Sequence, residues 1–233
     1  MTNSLSQSAT DFVDSILRMR PAVAAFDCDG TLWSDDAGEA FFDWELQQNL
    51  LSDEIVDWAR ARYAAYRAGR VSEEAMCGEM VTMHRGLGEP EISRMAARFF
   101  DEYFAENIFP EMQTLVQELS RQGCDVWAVS STNEWIIRAA MRHFQLPESR
   151  VIASCARVVN GQVTGQLIQV PSGEGKCRAI QQTIGKAPDA AFGNSIWDAA
   201  MLGIARVAVA VNPTPELEKL ATKRNWRIYR PIS

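Results

Sequence analysis

From Pro110 to Tyr229 short apolar runs alternate with segments of helical spacing, and that rhythm leaves few folds open. The spacing predicts a helix over 112–121 that stops at Gly123, a common helix terminator. Cys124-Asp-Val-Trp-Ala-Val129 follows as a strand, and two β-like runs over 151–170 flank Asn160-Gly161, a strong hairpin signal. A helix at 175–184, a strand at 190–192, a helix at 197–204, a strand at 207–211, a helix at 215–223 and a strand at 227–229 complete the series. Strands alternating with helices predict an α/β fold with a parallel sheet. Upstream, residues 11–18 have helical apolar spacing, and Ala22-Val-Ala-Ala-Phe26 reads as a buried strand.

Between that first strand and Pro110 nothing alternates with period two. Phe41/Phe42/Leu46, Ile55/Trp58/Ala59/Tyr63, Ala75/Met80/Met83 and Ile92/Met95/Phe99 all suit helices. The expected organisation is therefore a Rossmann-like core made of residues 1–33 and 109–233, with an α-helical cap inserted at 34–108.

Composition narrows the function. At 233 residues, 47% of them hydrophobic, the chain is long enough to bury roughly 70–75% of its unfolded surface without staples. The formal net charge is −7 and no Lys/Arg cluster occurs, so a nucleic-acid partner is not expected. A small anionic ligand stays open, because it needs only a few local positive groups. Five scattered cysteines without a C-x-x-C pair argue against zinc and for a reduced, cytoplasmic setting. Residues 1–10 are polar, and no apolar stretch approaches the ~20 residues that span a bilayer, so no membrane partner is expected.

The chemistry centres on Phe26-Asp-Cys-Asp-Gly-Thr-Leu-Trp33. Two carboxylates, Asp27 and Asp29, stand just past an apolar strand and before a Gly-Thr turn. Ligands of open α/β sheets bind at such strand ends. D-x-D-G-T arises by chance in roughly one of a few hundred chains of this length. A second strand end carries Ser130 and Ser131. Ser131-Thr-Asn-Glu134 reads as a capping box, Ser131 at the N-cap and Glu134 at N3, which would employ the Ser131 hydroxyl and leave Ser130 free. Further on come Lys176, in Gly173-Glu-Gly-Lys, and Gly193-Asn-Ser-Ile-Trp-Asp198. Lysine is scarce here, the others being Lys186, Lys219 and Lys223.

These four pieces, in this order and at strand ends, resemble the haloacid dehalogenase-like superfamily, in its phosphoserine-phosphatase-like branch. The resemblance implies a phosphatase that hydrolyses a small phosphomonoester through an aspartyl-phosphate. Asp27 would be the nucleophile, Asp29 the general acid and base, Ser130 a hydrogen-bond donor to the phosphoryl group and Lys176 its counter-charge. Mg²⁺ would be held by Asp27, the backbone carbonyl of Asp29, Asn194 and, through a water, Asp198. Asn194 departs from the commoner aspartate and brings no charge, so a weaker metal site is expected. The dehalogenase branch lacks the second aspartate, and Asp29 therefore disfavours carbon–halogen cleavage.

Asp27 and Ser130 stand 103 residues apart, room for the helical cap typical of that branch. By the same resemblance, Asp36 and Glu39 would bind the substrate's amino group, and Arg67 or Arg70 a carboxylate. Trp33, Phe41, Phe42 and Trp44 suit a quaternary ammonium such as choline, or equally cap packing. Phosphoserine-like and phosphocholine-like metabolites are both expected as substrates. His84 and His143 lie away from the motifs, and no G-x-S-x-G elbow exists. A phosphotransferase to a small alcohol and a noncatalytic phospho-ligand binder remain the alternatives.

Overall fold

The computed structural model describes residues 5–231. Of the polar N-terminal stretch, residues 1–4 lie outside the described residues, and Gln7 opens the first helix.

Seven strands form one sheet: β1 Val23–Phe26, β2 Asp125–Asn133, β3 Val151–Val159, β4 Gln162–Gln169, β5 Ala190–Gly193, β6 Val207–Val211 and β7 Arg227–Tyr229. Their order is β4-β3-β2-β1-β5-β6-β7, parallel throughout except for β4, which returns antiparallel as the Asn160-Gly161 hairpin. β1 and β5 are buried at every position, as central parallel strands covered on both faces must be. Their registers place Phe26 opposite Phe192, and the two rings stack 4.1 Å apart.

Helices cover the sheet on both sides. α1 (Gln7–Leu17), α6 (Pro110–Arg121) and α7 (Glu134–Met141) bury Phe12, Leu115 and Ile136 against one face. On the other face α8 (Glu174–Thr183), α9 (Ala199–Ile204) and α10 (Pro215–Lys223) bury Ile180, Leu202 and Leu217. The chain runs from β1 through β2 to β4 on one side, then returns to β5 on the other. The crevice between the carboxyl ends of β1 and β5 is thus the topological switch point, where such folds bind ligands.

The stretch between β1 and β2 is helical, as its spacing predicts: α2 Ala37–Glu45, α3 Asp53–Arg67, α4 Glu73–Thr82 and α5 Glu89–Phe99, closed by a π-helical turn at Phe100–Phe104. Serines cap α3 and α4, and Asp36 caps α2. Trp33, Phe41 and Phe42 are fully buried rather than arranged around a ligand. Trp33 packs on Phe100, Phe104 and Phe144, and Trp44 on Phe41, Phe99 and Tyr103, so these aromatics hold the helices together. No described helix is long and apolar enough to cross a membrane.

One sequence expectation is corrected. β2 does not stop at Val129 but continues to Asn133, which pairs with Ser154 of β3, and the Ser154 hydroxyl donates to the Ser131 carbonyl. The N-cap of α7 is Asn133, whose Oδ1 accepts the Ile136 N–H at 3.1 Å. Asparagine caps as well as serine, and strand pairing decides between them. The Ser131 hydroxyl is therefore not the cap.

His84 is a core residue in a polar pair. Its Nε2 lies 2.8 Å from Glu45 Oε2, both side chains fully buried, with the ring edge-on to Trp135. Burial alone would lower the imidazole pKa, but the charge and hydrogen bond of Glu45 and the Val81 carbonyl outweigh it and raise it. Burial raises Glu45 as well, against the pull of His84. Both groups hold protons more tightly folded than unfolded. The pair's stabilisation is therefore present at low pH and declines as pH rises above the unfolded glutamate value of about 4.5 and through the raised imidazole value. In urea unfolding from pH 5 to 9, wild type is expected to lose more stability with pH than the Glu45→Gln/His84→Gln double variant, which lacks both titrating groups, and parallel slopes would refute this.

Candidate active site

The site begins where β1 ends. The Asp27 N–H donates to the Phe192 carbonyl, extending the β1–β5 pairing by one residue and turning the Asp27 carboxylate into the crevice. Thr31 donates its hydroxyl to Asp27 Oδ2 at 3.0 Å across the intervening turn. Two glycines allow the strand ends to close on each other. A Cβ on Gly30, which has φ +71°, would lie 1.9 Å from Asn194 Nδ2, and one on Gly193 would lie 2.5 Å from Asp198 Cβ.

Lys176, near the start of α8, is almost fully buried between two carboxylates. Its Nζ donates to Asp27 Oδ1 at 2.6 Å, to Asp198 Oδ1 at 2.5 Å and to the Val129 carbonyl at 2.9 Å. Those bonds use all three of its donors. Burial would lower the ammonium pKa, but Asp198 and Asp27 overcome it and keep the group protonated. Asp27 is raised to about 6, by burial first and then by the charge of Asp198, with Lys176 and Thr31 opposing. Asp198 is committed twice: Oδ1 to Lys176, and Oδ2 to the backbone N–H groups of Asn194 and Ser195. Any share it takes in holding a metal through water must compete with those bonds.

Asp29 is half-buried and held from two sides. Trp33 Nε1 and the Ala37 N–H donate to Oδ1 at 2.8 and 2.7 Å, and the Thr132 hydroxyl donates to Oδ2 at 2.8 Å. Burial, with the charges of Asp36 and Asp27, raises its carboxyl to about 8. At neutral pH that carboxyl carries a proton to give.

Asp27, Asp29, Lys176, Asn194 and Asp198 line one cavity of about 480 Å³, within the range of small-molecule sites. The end of β2 contributes Ser131, Thr132 and Asn133 to its wall, whereas Ser130 stands behind them, buried, its Oγ accepting the Thr132 N–H at 3.1 Å. The helical segment closes the opposite side with Asp36 and Glu39 at α2, Tyr63, Tyr66 and Arg67 on α3, and Glu73, Met76, Cys77 and Met80 on α4. Arg70 is exposed and outside the lining; Trp44 and the buried aromatics also stand outside it. Tyr63, Tyr66, Glu73 and Trp197 escape the sequence reading. The 63/66/67 and 73/76/77/80 spacings each mark one helix face, but polar and apolar residues mix on both, so neither reads as a binding wall.

No described cluster of three or more His, Cys, Asp or Glu forms a self-sufficient metal cage. Three residues that line the same cavity could instead offer oxygen: Asp27 by its carboxylate, Asp29 by its backbone carbonyl and Asn194 by its amide. Mg²⁺ takes one or two carboxylates, keeps several waters and fills the remainder from substrate phosphate, so the donor set fits it.

Residues 24–203 match the family described as haloacid dehalogenase-like hydrolase, and the chain belongs to it. Within that family it is a phosphoric monoester hydrolase. It is similar to a histidinol-phosphatase of Neisseria meningitidis, 26% identical over 217 residues that cover 88% of this chain and 97% of that one. A phosphoserine phosphatase of Mycobacterium tuberculosis is 28% identical over 149 residues, 61% of this chain and 48% of that one. The fold superposes on a phosphoserine phosphohydrolase-like protein from Francisella tularensis with a TM-score of 0.59, at 16% identity and covering 90% and 95% of the two chains.

The buried ion cluster sets a stability test. Lys176→Met strands two carboxylates without their cation and is expected to cost about 3–5 kcal/mol in urea unfolding. Adding Asp198→Asn to that variant should recover part of the loss, since only one uncompensated anion then remains. No recovery would mean that the ammonium does not balance these two charges.

Proposed function

We propose that this phosphatase hydrolyses a small phosphomonoester through an aspartyl-phosphate on Asp27, with Mg²⁺ as cofactor. The observation that carries the reading is the Asp27–Lys176–Asp198 cluster sharing a cavity with Asp29, whose carboxyl is held by Trp33, Ala37 and Thr132 and raised by its burial.

Asp27 attacks phosphorus as the alkoxide leaves, and Asp29 delivers its proton to that oxygen, so the alcohol departs neutral. Asp29, now a carboxylate, takes a proton from the water that attacks the aspartyl-phosphate, which regenerates Asp27 and releases phosphate. Trp33, Ala37 and Thr132 fix Asp29 in orientation for both transfers. Lys176 offsets charge on Asp27 and the phosphoryl oxygens, and Asp198 acts as a positioning residue that holds Lys176. Ser130 is the expected donor to the phosphoryl group, beside the Val129 carbonyl that Lys176 engages. Ser131 competes for that role because it lines the cavity and is free of the helix cap.

Asp27, the Asp29 carbonyl and Asn194 would hold Mg²⁺, which when bound screens the repulsion between the nucleophile and the phosphate dianion. Asp36 and Glu39 would face the alcohol portion, which favours a substrate with a cationic nitrogen, of the phosphoserine or phosphocholine kind. The relative named histidinol-phosphatase points the same way, toward a phosphorylated amino alcohol.

Three measurements test the reading. Labelled phosphate should be trapped on wild type by acid quench and absent from Asp27→Asn, whose turnover should fall at least about a thousandfold; equal labelling rejects Asp27 as nucleophile. EDTA should abolish turnover and Mg²⁺ restore it. Asn194→Asp should lower the half-saturating Mg²⁺ concentration several-fold, since a charged oxygen replaces a neutral one. An unchanged titration would remove Asn194 from the metal site.

A further inference from the structure

The cavity wall built by α2, α3 and α4 carries a charge pattern that Asp36 and Glu39 alone do not explain. Asp35, Asp36, Glu39 and Glu73 line it, against the single guanidinium of Arg67. Lys176 cannot balance them, because Asp27, Asp198 and the Val129 carbonyl occupy its three donors. Two tyrosines one helical turn apart on α3 brace this wall. Tyr66 donates its hydroxyl to Glu73 Oε2 at 2.6 Å, tying α3 to α4. Tyr63 faces Glu39, and burial together with that carboxylate keeps the phenol protonated.

A carboxylate accepts at about four lone-pair sites, and one phenol fills one of them. Each pair is thus oriented but far from saturated, with lone pairs open toward the cavity. An alcohol that carries a carboxylate of its own would meet this wall with only Arg67 to receive it. A quaternary ammonium would satisfy the charge yet bring no N–H for the open lone pairs.

We infer that Glu73, held by Tyr66, determines specificity with Glu39 and Tyr63 for phosphomonoesters whose alcohol carries an N–H cation, an ammonium or a protonated imidazole. This deepens the proposed function and rests on it.

The test uses ω-aminoalkyl phosphates with chains of about two to five carbons, each beside its alkyl phosphate and its trimethylammonium analogue, with wild-type enzyme and Mg²⁺. At the best chain length, kcat/KM should favour the amine over the alkyl ester by about tenfold or more, and over the trimethylammonium ester by several-fold. Glu73→Gln and Tyr66→Phe should each shrink the amine-to-alkyl ratio at least about threefold. A ratio near one, a ratio that survives both substitutions, or a preference for the trimethylammonium esters would overturn the assignment. If wild type turns over none of these esters, the phosphatase reading fails by itself. Calorimetric titration of the same compounds into Asp27→Asn then decides the binding preference independently, with equal affinity for amine and alkyl esters overturning it.

Discussion

One buried ammonium between two buried carboxylates organises this protein. Taking Lys176, Asp27 and Asp198 out of water is costly, and the desolvation is repaid only because every Nζ proton finds an oxygen within 2.9 Å. The cluster still carries one excess negative charge, and burial, with the charge of Asp198 behind it, pushes Asp27 up to about 6 despite its direct contact with a cation. A phosphate dianion brought to this point adds further repulsion, and one lysine already spent on two acids cannot absorb it. Opposite charges near 4 Å gain about 4 kcal/mol at an effective dielectric of 20. That charge count is what the proposed divalent cation would offset.

The three members of that cluster come from positions far apart in the chain, and the sheet order brings them together. β1 delivers Asp27, β5 and the turn after it deliver Asp198, and α8 crosses above the same crevice with Lys176. Chain reversal between β4 and β5 opens the crevice, and Gly30 and Gly193 let its two rims approach without side chains in between. A parallel sheet with its switch point elsewhere would leave the same residues dispersed.

Much of this was legible in the sequence because it is local. The D-x-D-G-T turn, the buried strand before it and the Asn160-Gly161 hairpin are each fixed by neighbours within a few residues. The alternation of apolar runs and helical spacing was enough for the fold class. The start of α7 was misread, since whether Ser131 caps a helix or continues a strand depends on Ser154, 23 residues away. Trp33, Phe41 and Phe42 were ambiguous for a related reason. An aromatic that lines a ligand and one that fills a core look alike until its partners, such as Phe100 and Phe144, are known. The wall of Tyr66 and Glu73 depends on how two separate helices pack, and no single segment carries that information.

The helical insert does more than cover the crevice. Asp29 receives one hydrogen bond from Thr132 at the end of β2, and two from the start of the insert, at Trp33 and Ala37. The Trp33 ring is itself clamped by Phe100 and Phe104 at the far end of the insert and by Phe144 after α7. The orientation of Asp29, the proposed proton donor, is thus set by aromatic packing that spans both ends of a segment more than 70 residues long. Because proton transfer depends on heavy-atom positions to a few tenths of an ångström, a change in the packing of the insert reaches the chemistry without touching a catalytic residue. Asp27 and Lys176, by contrast, are fixed by strand ends and α8. In the proposed mechanism, phosphoryl attack would be anchored in the sheet, while protonation of the leaving alcohol would depend on the same helices that line the alcohol side of the cavity.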